Sequence, residues 1–127
     1  MTLAIQIFAV IAALLHIVFF IFESLLFMRP HIYPRFLANS QQEAEHARVF
    51  AYNQGFYNLL LALGCFTGLW LARDPATAAA GQAMVLYVMA FMLAASLVLV
   101  SSERHMLRAA LMQGLPPLIA LVLYVLR

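Results

Sequence analysis

The chain has 127 residues, of which 66% are hydrophobic and 9% charged, and it carries a formal net charge of +2. Soluble domains hold about 25% charged residues, so this composition excludes an ordinary water-soluble domain, and so small and scattered a charge excludes nucleic acid as a partner. All seven basic side chains are arginine, which leaves Schiff-base and lysine-general-base chemistry without a residue to act through. Cys65 is alone, so no intramolecular disulfide and no cysteine-based zinc or iron–sulfur centre can form.

Four apolar runs divide the sequence, with helices expected at about residues 3–28, 41–72, 79–101 and 106–126. Each is close to the ~20 residues that a helix rising ~1.5 Å per residue needs to cross ~30 Å of hydrocarbon. None shows the alternation of a spanning strand. The expected fold is therefore all-α: a bundle of four transmembrane helices forming a single domain over residues 1–127.

The first run opens with MTLAIQIF, which lacks a basic residue, and it is longer than the apolar core of a secretory signal. It is expected to remain as a membrane helix. His16 and Glu23 lie seven residues apart on it and project within about 20° of each other. An ionisable group inside a membrane helix is costly and is read as functional by default, with a partner to be named. For Glu23 the partners expected at the same membrane level are Arg48, Arg104, His46 and His105.

The connection RPHIYPRFLANSQQEAEHAR is the one substantial loop, and Pro30 and Pro34 bar a simple continuation of the first helix. Ser40 to Glu43, SQQE, reads as a capping box that starts the second helix at Gln41. That helix carries AYNQGFYN, residues 51–58. With Asn53 at 0°, Tyr57 projects at about 40°, Gln54 at about 100° and Asn58 at about 140°, and His46 extends the sector near 20°. Amides at this depth cannot face lipid without leaving donors and acceptors unmet, so the sector is expected to face other helices or a cavity. The competing interpretation makes these groups interhelical glue with no chemistry intended.

ARDPAT and SSERH read as tight turns. In the last helix GLPPL predicts a kink at Pro116–Pro117 near the bilayer midplane. Arg29, Arg35, Arg48, Arg104 and Arg108 fall on one side of the membrane, against Arg73 and Arg127 on the other. The arginine-rich side is expected to be cytoplasmic, which makes the chain a multi-pass cell-membrane protein with both termini non-cytoplasmic.

The segment NQGFYNLLLALG, behind a first helix with a late glutamate and an aromatic–proline connection, resembles the membrane-protein family catalogued as domain of unknown function 1304. The resemblance spans nearly the whole chain. Its most specific part is Asn53, Gln54, Gly55, Tyr57 and Asn58, with Glu23 as the matching acidic position. It implies a small four-helix integral membrane protein and transfers no activity.

On function, the residues point first to a buried polar pocket in the cytoplasmic half, binding a small lipophilic or amphipathic molecule. Asn53, Gln54, Tyr57, Asn58 and His46 are the candidate ligand-binding residues. Glu23 and His16 are the candidate catalytic ones, able to move a proton while the amides hold an oxyanion. A small proton-coupled exporter using Glu23 is the alternative, by analogy of architecture. A haem protein using His16, His46 and His105 is a further one, although no haem-attachment motif and no pair of histidines four residues apart supports it. No metal site and no particular cofactor is indicated. Besides the bilayer and the ligand, a second copy of the chain is a possible partner.

Overall fold

In a computed structural model that describes residues 1–127, the chain is entirely helical. Helix α1 spans Leu3–Phe20, α2 Gln41–Leu71, α3 Ala78–Ser102 and α4 Leu107–Val125. A π-helical turn, Ile21–Leu25, continues α1, and short 3-10 segments occupy Tyr33–Phe36 and Arg104–Met106. The four helices are long and apolar enough to cross a membrane. Large apolar side chains such as Leu3, Leu14, Leu60, Val98 and Val122 stand exposed on their outer faces. Both features are consistent with a multi-pass membrane protein, in which lipid covers those faces.

Local chemistry explains where the helices begin and end. The Thr2 hydroxyl accepts from the Ile5 amide at 3.4 Å and caps α1. The first run does not stay α-helical to residue 28: regular geometry ends at Phe20, the π turn ends at Leu25, and turns follow. Pro34 sits in the first positions of the Tyr33–Phe36 segment, where a missing amide costs nothing. Leu37 then reverses the chain in the left-handed region, at φ 67°.

The capping box ahead of α2 forms with one change. Ser40 accepts from the Glu43 amide at 3.2 Å, but the Glu43 carboxylate takes the Asn39 amide at 2.7 Å, one residue upstream of the cap. Pro116 and Pro117 lie inside α4 without ending it. Pro117 is buried on the same stripe as Ala110, Gly114 and Ala120.

The helices form a square in which each packs on its sequence neighbours and α4 closes against α1, leaving α1 and α3 as the diagonal. Where α1, α2 and α3 meet, Ile5, Ala9, Ala62, Cys65, Val85 and Met89 are fully buried. Small side chains dominate the contacts, as expected where association depends on close packing rather than on hydrophobic transfer. The α2–α3 crossing brings backbone against backbone. A side chain on Gly81 would run into the backbone of Gly68, Leu71 and Ala72.

Candidate functional site

The π turn places Glu23 against α2. There Asn58, only 7% exposed, donates its Nδ2 to Glu23 Oε2 at 2.6 Å. The next residue fixes the junction. Ser24 donates its hydroxyl to the Tyr52 carbonyl at 2.8 Å, and its Oγ and backbone amide occupy the notch left by Gly55. A Cβ at residue 55 would overlap the Ser24 hydroxyl and press on its backbone, so the close approach of the chains favours glycine. The end of α1 is thereby pinned to α2 within two turns of Asn58.

None of the four charged partners expected for Glu23 is found. Arg48, Arg104, His46 and His105 make no contact with its carboxyl, and the one ion pair in the chain joins His105 to Glu103 at 2.7 Å. The partner is instead an uncharged amide from the polar stretch of α2.

That stretch does not turn inward as a block. Asn58 is buried, whereas Asn53, Gln54 and Tyr57 are exposed. The buried face of α2 is set by Gly55, Asn58, Ala62, Cys65 and Gly68. On the projection with Asn53 at 0°, those five residues span about 60° to 200°, which leaves Tyr57 and Asn53 outside the arc, while Gln54, near 100°, falls within it but stays exposed along the clefts. The expected sector was centred on the amides, but the small residues decide which face can approach another helix. Asn53 meets its own need by donating to the Val49 carbonyl at 3.1 Å.

Three clefts adjoin the Glu23–Asn58 pair. One of about 450 Å³ runs from Asn58 and Gln113 to Ser102 and Met106, with Glu23, Gln54, Phe19 and Phe36 also on its wall. A second, about 560 Å³, lies between α2 and α3; it shares Gln54, Asn58, Ala95 and Gln113 with the first and has Tyr57, Leu60 and Phe91 on its outer side. A third, about 490 Å³, lies between the π turn and α2, with Glu23, Arg48 and Tyr52 among its lining residues. Glu23 therefore stands at the junction of the first cleft and the third, and Asn58 at that of the first and the second.

The histidines do not join this group. His16 is 1% exposed and donates Nδ1 to the Ala12 carbonyl at 2.9 Å; its Nε2 has no partner, and Phe19 packs edge-on against the ring at 5.7 Å. It lines none of the three clefts. His46 is exposed near the start of α2, and His105 is exposed in the α3–α4 turn. No group of three or more His, Cys, Asp or Glu side chains converges anywhere.

Two cleft residues escape a motif-led reading. Gln113 is a polar side chain in an apolar helix, and the rule that singles out Glu23 would have found it too. Ser24 gives no such signal, because a hydroxyl in a membrane helix commonly bonds its own backbone. No curated protein and no solved structure matches the chain. The profile of a family described as protein of unknown function (DUF1304) matches residues 10–125, nearly the whole chain, which therefore belongs to that family.

Proposed function

We propose that the cleft around Glu23 and Asn58 binds a small lipophilic or amphipathic molecule that enters from the bilayer between α2 and α3. The observation that carries this reading is a shared wall. The same Gln54, Asn58, Ala95 and Gln113 line both the inner cleft with its carboxyl and the side groove with its exposed apolar rim. A ligand able to use both needs an apolar body for Leu60, Phe91 and Val98 and a polar group for the carboxyl and the amides. Concave apolar walls with a few convergent polar groups are the usual form of a small-molecule site. Where the ligand carries a carbonyl, a side-chain amide can hold its oxygen while Glu23 gives or takes a proton.

The arginine-rich connections lie at the end of the bundle where the inner cleft opens, beside Ser102 and Met106. The charge rule then makes that end cytoplasmic and both termini non-cytoplasmic.

Purification in mild detergent, followed by extraction and mass spectrometry, tests the site. The wild-type protein is expected to carry an enriched lipophilic molecule, and Asn58→Leu to lose it while remaining folded. Glu23→Gln should retain the molecule yet fail to convert it. Equal recovery from wild type and Asn58→Leu, on protein of equal thermal stability, defeats the proposal.

A second reading, a proton-coupled exporter, is favoured by the position of Glu23 at the junction of the inner cleft and the one beside Arg48. In proteoliposomes with an imposed pH gradient it requires uptake of a lipophilic cation that Glu23→Gln abolishes. Gradient-independent behaviour eliminates it.

A further inference from the structure

We propose that a fourth cleft, between α1 and the start of α4, is a site for an anionic phospholipid whose phosphate is held by Arg35 and Arg108. The proposal is independent of the ligand at Glu23. The cleft measures about 490 Å³ and is bounded by Phe19 and Phe22, the Pro34–Leu37 segment, and residues of the α4 end including His105, Arg108 and Met112.

Its charge is uncompensated. No acidic side chain lines it, and neither arginine forms an ion pair, since the single pair in the chain joins His105 to Glu103. Arg35 is held in place before any ligand arrives. Its Nε donates to the His31 carbonyl at 3.2 Å, and its guanidinium lies 5.8 Å from the Phe22 ring centroid. The remaining N–H groups are left to meet an anion, and the planar guanidinium suits phosphate oxygens taken two at a time. A group already ordered gives up less freedom on binding.

Beneath the cations the cleft is apolar. Phe19, Phe36, Met106, Ala109 and Met112 form its floor, and the first four of these also line the cleft of Glu23 on the other side. Arg108 is the second residue of α4, and Arg35 lies in the α1–α2 connection. Both therefore stand at the end of a membrane span, the level at which phospholipid headgroups lie. Basic pockets between transmembrane helices at this depth select anionic headgroups. A small soluble anion would use the arginines and leave the apolar floor bare. A phospholipid uses both, with its acyl chain lying along the seam between α1 and α4.

Native mass spectrometry of the whole chain, exchanged into detergent with either phosphatidylglycerol or phosphatidylcholine, tests this directly. Wild-type protein is expected to retain phosphatidylglycerol at least about tenfold over phosphatidylcholine, and Arg35→Gln/Arg108→Gln to lose that preference. Arg29→Gln/Arg104→Gln, which removes the same charge from the same end outside the cleft, should keep it. Equal retention by the Arg35/Arg108 variant overturns the proposal, as does an equal loss in the Arg29/Arg104 control, which would reduce the effect to net charge. Displacement of the lipid by millimolar inorganic phosphate also overturns it, because the occupant is then a water-soluble anion. Should the double variant not purify as a monodisperse species, Arg35→Gln alone carries the test, since that side chain is exposed and lies in the short 3-10 segment outside the four long helices.

Discussion

The two ends of the bundle are built differently. Toward the α2–α3 turn the helices press together through Gly68 and Gly81, around a core of fully buried Ile5, Ala9, Cys65, Val85 and Met89. Toward the α1–α2 and α3–α4 connections clefts of several hundred Å³ open around Glu23, Asn58 and Gln113, beside a smaller core of Phe27, Ala38 and Ala44. Lipid is as apolar as any side chain, so helices in a bilayer associate through contact and hydrogen bonding, not through escape from water. The first end uses contact. The second relies on a few polar pins, of which Glu23–Asn58 and Ser24–Tyr52 are the shortest between α2 and the end of α1. Close packing and polar contacts are thus concentrated at opposite ends.

Substitutions at each end test that division. The largest effect is expected from Gly81→Val, because its new side chain meets backbone that cannot turn aside. A loss of about 3 kcal/mol, read as thermal or denaturant unfolding in detergent, follows from overpacking of this kind. A small loss would show that the tight end can separate without harm.

Asn58→Leu comes next. It leaves the Glu23 carboxyl without its donor, at a cost of about 1–2 kcal/mol, and should reduce copurified ligand about tenfold or more. Gly55→Ala must displace Ser24 and should cost about 1 kcal/mol, part of which a turn of the Ser24 hydroxyl can recover. If it also altered ligand recovery, the Ser24 pin would be shown to position Glu23.

The smallest effect concerns the α3–α4 turn. The His105 amide, and then its imidazole, donate to the Glu103 carboxylate and hold it below the usual range. The contribution of this contact is present at neutral pH and is lost as pH falls through that lowered value. Because the carboxylate faces water, the change should be slight, and Glu103→Gln should remove it from a pH series of unfolding curves.

The four spans, the helix start at Gln41 and the need of Glu23 for a polar partner were legible because each rests on a short-range rule of length, capping or cost of burial. Asn58 was legible only as one of several amides. Choosing it required the orientation of α2, and that information resided in Gly55, Ala62, Cys65 and Gly68, which carry no chemistry and draw no attention in a search for reactive groups. The π turn was not legible at all. Ile21 to Leu25 read as ordinary helix, and the turn falls where Ser24 meets Gly55, residues 31 positions apart along the chain. His16 drew attention as an ionisable group, yet it resides among packed side chains with only its own helix as partner.

Cys65 offers a practical consequence of the dry end. It is the one cysteine in the sequence, fully buried, with its sulfur against the Ala9 carbonyl at 3.4 Å. A membrane-impermeant maleimide has no path to it, so the native chain is a silent background for thiol chemistry. Thr2→Cys and Ser102→Cys, made one at a time and treated on intact cells, would report which face of the membrane each end meets without first stripping the protein of its own thiol.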